Sequence, residues 1–542
     1  MRTSIVILLF HLVITLTARN HVLHPGLTDN YTGLVRNAME KMRPGDSLIF
    51  EHGEYVFKEE SARDMALYPS NNTGGKKNVV FPIVGKRDIC IDGRGSTFVF
   101  EGSCFPFALI DSRQVTLQGF TITTRFPAAV DFTLIEKRQD GFKVRMGPAT
   151  RYTTDNEGNI SFSTGGREVS SRDGRISIHE VDRINICYLM TPQSKGDKDE
   201  FPAGFVGVKA KNDGEQIVDF TYYGDPHPKS IPVPIEPGRR VVLNLAEKRE
   251  QIACFADRCE DLRIKEIHVR RFGGMAFVAQ RCKDICYEAI DVWPEANEAI
   301  SVTADVFQCI NCEGKVTLRQ SRAGASLDDV INIHGNYLAV VSVTGKQLRL
   351  KACHLQHEGF FPYRKGDSIE IVNQHTRNVL AKARVRRLIE DENNRFECLL
   401  TVDKDLSDIS QGALVENITL CPEIIIEDNR LEHFPHIRLS GRGRMMIARN
   451  HISSFMGALL ANDLADYWYE AGRFSQITIR ENELTRCNEL GGTYVFQFGV
   501  SGWGPDAPKI HGKVTLENNR YSGMKEKYVA SGVREFIDRD KQ

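Results

Sequence analysis

Short runs of alternating apolar and polar residues recur along this chain, each bounded by Gly, Asn or Asp, and helical spacing of apolar residues is scarce. A period of two sends successive side chains to opposite faces, so the runs predict short β-strands. In the last third the runs share one pattern, an apolar residue followed three places later by Asn. Ile426-Glu-Asp-Asn429, Ile447-Ala-Arg-Asn450, Ile479-Arg-Glu-Asn482 and Leu516-Glu-Asn-Asn519 follow it, with asparagines 21, 32 and 37 residues apart. A period near 21 with longer excursions predicts a right-handed parallel β-helix, in which each coil is a turn of short strands and extra residues bulge out as loops. Asn suits the corners, because it tolerates the left-handed conformation and its amide can bond the same amide one coil away.

The texture appears earlier in Asp88–Phe100, Gln114–Thr124, Asp261–Phe272, Asp284–Trp293 and Lys315–His334. Two stretches break it, with hairpin turns such as Asp155-Asn-Glu-Gly158 and Val343-Thr-Gly-Lys346. The organisation expected is all-β: N-terminal coils over 19–125, an inserted antiparallel barrel or sandwich over 126–250, coils over 251–337, a second inserted β domain over 338–415, and C-terminal coils over 416–542. The domains are nested, not serial.

Residues 1–18 read differently. Arg2 precedes an apolar run from Ile5 to Leu16, and small residues reach Ala18, the pattern of a secretory signal. A secreted or periplasmic protein is expected, and no later stretch approaches the roughly 18 apolar residues of a membrane helix. Seventy Lys+Arg against 71 Asp+Glu give a net charge of -1, which argues against a nucleic-acid partner held by a general positive field. Thirteen cysteines include Cys309 and Cys312 as CxxC, with Cys282 and Cys286 upstream. A zinc ribbon is one reading, and buried apolar thiols on neighbouring coils is the favoured one.

The chemistry concentrates in Leu327-Asp328-Asp329-Val330-Ile331-Asn332-Ile333-His334-Gly335. Adjacent carboxylates opening an apolar strand repel, and one is driven to keep its proton. Both can face one cleft only where the chain bends, which Gly324 and Ser326 permit. Asp305 lies 23 residues before Asp328, about one coil, so it belongs on the neighbouring rung. Three carboxylates on two rungs suit acid–base cleavage of a glycosidic bond: one protonates the leaving oxygen, another takes a proton from water on the opposite face of the sugar. Turn capping and a Ca²⁺ site are competing readings. Trp468 and Glu470, in Trp468-Tyr469-Glu470, are candidates to stack on a sugar and hold its hydroxyls, with Asn332, His334, His354 and Arg364 as further hydroxyl partners. Trp293 and Trp503 are weaker candidates. Asn30, Asn71, Asn159 and Asn417 stand in glycosylation sequons.

Thr303-Ala-Asp305, Asn311-Cys-Glu-Gly-Lys315, Leu327–Gly335, Phe361–Asp367 and Trp468-Tyr-Glu470-Ala-Gly472 together resemble glycoside hydrolase family 110, over nearly the whole mature chain. The resemblance implies a pectin-lyase-like right-handed β-helix with inserted barrels. It implies an exported, metal-independent, inverting exo-enzyme acting on terminal α-1,3-linked galactose, of blood-group-B type or linear. It makes Asp305, Asp328 and Asp329 the catalytic carboxylates. By analogy with polygalacturonases, another inverting β-helix family, Asp328 is the acid and Asp305 and Asp329 hold the water. The loop Ala461–Asp466 and Tyr467 depart from the family pattern. Two alternatives remain: a polygalacturonase-like hydrolase or a lyase, although Arg263-Ile-Lys265 precedes the aspartate pair where that family has it after, and a non-catalytic glycan-binding β-helix.

Overall fold

A strand that is apolar at every second residue needs a partner face, and a coil that returns to the same three directions supplies it with its own neighbours. The computed structural model describes residues 18–540 except 164–167, 174–175, 184, 196–197, 199–203, 225–226, 247–248, 392, 488–493 and 525–526. The apolar run read as a secretory signal therefore lies outside the described residues. Three parallel sheets form a prism: one from Asn20–Leu23 to Val533–Arg539, one from Glu54–Lys58 to Arg520–Ser522, one from Gly75–Val84 to Tyr528–Ala530. The chain is thus a right-handed parallel β-helix. Inward-pointing residues stack rung on rung, as in Phe81 on Phe107 at 4.2 Å and Phe277 on Phe307 at 5.3 Å between ring centres. One helix, Thr32–Lys41, lays Val35 and Met39 on the N-terminal end of this core.

The corner between the first two sheets explains the asparagines. Gly119, Glu266, Ala289, Gln320, Asp428, Arg449, Glu481 and Asn518 all have positive φ, so each coil turns there through a left-handed residue. The next side chain points inward. In the last coils it is Asn, and Asn429 Nδ2 donates to Asn450 Oδ1 at 2.9 Å, Asn450 to Asn482 at 3.0 Å and Asn482 to Asn519 at 2.9 Å. Asn519 ends the ladder on Asp540, and Asn429 Oδ1 accepts from the Ser321 N–H at the other end. Asn450→Ala removes the buried acceptor of both the Asn429 backbone N–H and its side-chain amide, and leaves that backbone N–H unpaired. It should cost about 3 kcal/mol, seen as a lower urea midpoint at unchanged slope; an unmoved midpoint would deny the ladder any role in stability.

Both stretches that interrupt the repeat are barrels with cores of their own. The first closes Ala129–Arg138 against Arg240–Asn244, so that Ala129 pairs with Asn244 at its base. The second is entered by one continuous strand, Ile331–Thr344, which leaves the prism and runs on into the barrel, where Tyr337 pairs with Glu416. Arg442 reaches from the prism to Glu416 at 2.6 Å and to Glu370, and Arg377 of the barrel bonds Asp463 at 2.7 Å. Cys282, Cys309 and Cys312 are buried thiols inside the coils, and burial pushes Cys282 and Cys312 well up. No group of three or more His, Cys, Asp or Glu among the described residues is arranged to hold a metal ion.

Candidate active site

The bend before the aspartate pair is forced by backbone crowding. Gly324 has φ +146°, and a Cβ there would lie 1.7 Å from the Glu432 carbonyl oxygen. Ala325 follows in the left-handed region at φ +48°. The Ser326 Oγ then donates to the Asp328 carbonyl at 2.7 Å and holds the turn. Phe307 pairs with Ile331 and Val302 with Ser326, an offset of 24 residues. Asp305 therefore lies on the neighbouring rung beside Asp329, one place along from the Asp328 partner that the 23-residue spacing pointed to. The backbone bond from Val306 N–H to Asp329 O, 3.1 Å, fixes the two rungs together.

The three carboxyls sit in different environments. Asp305 is buried, and burial first, then the charges of Asp328 and Asp329, push it well above the usual carboxylate range. Burial would raise Asp329 too. Arg438 Nε at 3.1 Å and His436 Nδ1 at 3.6 Å outweigh it and hold Asp329 below that range. Asp328 is half-buried, accepts the Asp329 N–H at 3.0 Å and is paired with Arg249.

Beyond Asp329 the outward positions of the third sheet continue the polar patch. Asn332 Nδ2 donates to Glu470 Oε1 at 3.3 Å, and His334 Nε2 lies 3.8 Å from the same oxygen. Asn71, on the loop before the third sheet, also donates to Glu470 Oε1 at 3.3 Å. Asn332 Oδ1, His334 Nε2 and Glu470 Oε2 are buried without a hydrogen-bond partner. His354 lies against Trp468 with ring centres 4.3 Å apart and ring planes tilted by 41°, and burial lowers the histidine's pKa. The tyrosines on either side of Trp468 have positive φ, +40° at Tyr467 and +54° at Tyr469, so the loop is bent to present its rings.

Arg364 is not brought to this group. It forks onto Glu313 at 2.9 Å and Asp367 at 3.3 Å, past the far end of the strand Phe307–Ile310 from Asp305, where it ties the second barrel to the prism. Trp293 lies under Arg322 at 3.6 Å, and Trp503 donates to the His375 carbonyl at 2.8 Å. Of the four sequon asparagines, Asn71, Asn159 and Asn417 are buried. Nothing in the sequence singles out Arg249, His436 and Arg438. Arg438 pairs in register with Asn332, but the second barrel separates them along the chain. Asn71 carries only a sequon, which points outward and not to a buried amide.

Asp328, Asp329, His436 and Arg438 line a cleft of about 230 Å³, and Arg438 Nε lies 3.9 Å from Glu470 Oε2. The prism supplies Ile300, Leu327, Phe455 and Met456, and the first barrel supplies His179 and Asp182. Across it His433 bonds Asp182 at 3.0 Å, which raises the histidine's pKa. The site thus has a buried polar side, three carboxyls with unequal hold on protons, and a part-apolar opening.

No family model matches the chain. It is 24% identical to a Phocaeicola vulgatus protein named alpha-1,3-galactosidase B, over 91% of this chain and 81% of that one. It is 26% identical to alpha-1,3-galactosidase A of Streptomyces avermitilis, over 90% and 80%. Among solved structures, a polygalacturonase from Erwinia carotovora ssp. carotovora covers 95% of this chain and 96% of its own at 8% identity, with a TM-score of 0.37, too loose a match to bear on the chemistry.

Proposed function

We propose that this chain, by kinship with these relatives a member of glycoside hydrolase family 110, is an exported, inverting exo-glycosidase that removes terminal α-1,3-linked galactose. The observation that carries the acid–base chemistry is the gathering of three carboxyls on two adjoining rungs, with Asp329 held ionised by Arg438 at 3.1 Å and Asp328 lining the cleft. A carboxylate held ionised beside a second that faces the opening suits the base and the acid of inversion. Asp328, at the cleft, donates to the leaving oxygen, while Asp329 takes the proton of a water that it holds together with Asp305. The unpartnered Asn332, His334 and Glu470 atoms suit the hydroxyls of a neutral sugar. Trp468 and His354 offer ring faces for its C–H side. A cleft of about 230 Å³ is smaller than the roughly 300–1,000 Å³ of drug-sized ligand sites, in keeping with attack on chain ends.

Gal-α-1,3-Gal and the fucose-branched blood-group-B structure are the substrates to test. Followed by NMR of the anomeric protons, galactose should be released first as the β anomer, with chelator leaving the rate unchanged. First release of the α anomer would exclude inversion, and no release from either glycan would exclude the activity.

A further inference from the structure

The buried polar side of the site climbs to a rim within one short loop. Glu470 is buried among Asn71, Asn332 and His334, Trp468 is half-buried against His354, and Tyr467 is 71% exposed. The Tyr467 ring meets Trp468 edge-on at 5.1 Å and His354 at 5.4 Å. His354 stands between two strands of the second barrel, Gln347–Ala352 and Ser368–Val372, and the residue after it, Leu355, is 81% exposed. Among the described residues Leu355 and Tyr467 are the two most exposed large apolar side chains. One adjoins His354 in the chain and the other touches its ring. The charges of Glu470 and of Arg249, the partner of Asp328, both reach His354, so this rim adjoins the carboxyls.

Tyr467 is held in place. The loop closes on itself where the Leu464 N–H donates to the Glu470 carbonyl and the Tyr469 N–H to the Asp466 carbonyl, each at 3.0 Å. Gln374 of the barrel donates to the Ala465 carbonyl at 2.9 Å, and the Tyr337 N–H to the Tyr469 carbonyl at 2.9 Å. Within this frame both tyrosines keep positive φ, a conformation that is costly for a residue with a Cβ. Tyr469 turns back and packs on the cluster of Tyr337, Val372 and Leu414. Tyr467 turns outward. An anchored, strained backbone that holds an aromatic ring in water gains from whatever covers that ring.

We propose that Tyr467 is a specificity-determining residue that packs on the apolar face of the sugar next to the terminal galactose. The occupant follows from the depth of the site. The unpartnered Asn332, His334 and Glu470 atoms lie at the buried end and suit the galactose hydroxyls. A chain end seated there leaves the next sugar at the mouth, beside Tyr467 and Leu355. A pyranose presents a face of C–H groups, which aromatic and aliphatic side chains cover without a hydrogen bond. The inference rests on the galactosidase reading above for the sugar at the buried end.

The test sets Gal-α-1,3-Gal against α-galactosyl fluoride, which carries the same galactose and no second sugar. At a φ of +40°, Tyr467→Gly removes the ring and the strain together. In that variant the ratio of kcat/KM on the disaccharide to kcat/KM on the fluoride should fall about tenfold, through KM, while Tyr467→Phe stays within about twofold of the parent. A ratio that does not move, or a loss shared equally by both substrates, overturns the inference. Saturation-transfer NMR of Asp328→Asn with Gal-α-1,3-Gal needs no turnover. Protons of the second sugar should be saturated, and adding Tyr467→Gly should abolish this while the galactose protons keep their signal. No saturation of the second sugar, or saturation indifferent to Tyr467, also overturns it. A parent protein that holds the disaccharide through Tyr467 but releases no galactose from either substrate condemns the galactosidase reading and leaves the contact standing.

Discussion

Asp328→Asn is expected to fold like the parent protein and to lose turnover on α-1,3-galactosides by roughly 10³-fold, within the range of a lost general acid. The side chain is half-buried at the cleft, and Asn is nearly its isostere, so no cavity opens. The Ser326–Asp328 backbone bond that shapes the turn is untouched. The charge paired with Arg249 goes, and with it the capacity to hold and deliver a proton. Steady-state kcat with a thermal midpoint on the same sample separates chemistry from folding. Near-parent turnover would remove Asp328 from the reaction.

Arg438→Met should damage both stability and rate. Asp329 is buried and relies on Arg438 at 3.1 Å, so the variant leaves a buried carboxylate short of its main counter-charge. Breaking such a pair costs about 3–5 kcal/mol. The direction with pH follows from the depressed pKa of Asp329. A carboxyl held lower in the folded state adds stability that is fully present above about pH 4 and lost as pH falls through its folded value. Without Arg438 that value rises, the stabilising window narrows, and the acid-side loss of activity starts at higher pH. Denaturant melts and kcat/KM profiles across the acid range would show it. An unchanged acid limb would mean that the ionisation of Asp329 does not limit the reaction.

The prism was legible where its corners are chemical. Asn429, Asn450, Asn482 and Asn519 announce the coil period because each amide must find the next one, and that requirement leaves the same residue at every turn. The helix Thr32–Lys41 was not legible, since with Gly33 in its first turn and a single coil end to cover it has little periodicity to show. In the site, Asp305, Asp328 and Asp329 stand out because adjacent charge on an apolar strand is costly and needs a reason. Their cations do not. Arg249 and Arg438 are ordinary arginines until an insertion is removed and the register is counted, and Arg364 looked like a sugar ligand only because its carboxylate partner Glu313 lies 51 residues away.

The pairing of Ala129 with Asn244 and of Tyr337 with Glu416 has a consequence for how the chain assembles. Val115 and Leu262 are adjacent rungs although the whole first barrel separates them in sequence. Loop closure across an unstructured segment grows costlier with its length, by about 0.6 kcal/mol per doubling. A barrel whose two ends are already partners presents the prism with a gap of only a few residues, which cuts that entropy by about 2 kcal/mol. Each insertion works as a knot-free shortcut: folded first, it converts a distant contact into a local one, and the rungs that carry the three aspartates, between the two barrels, inherit low effective contact order at both edges.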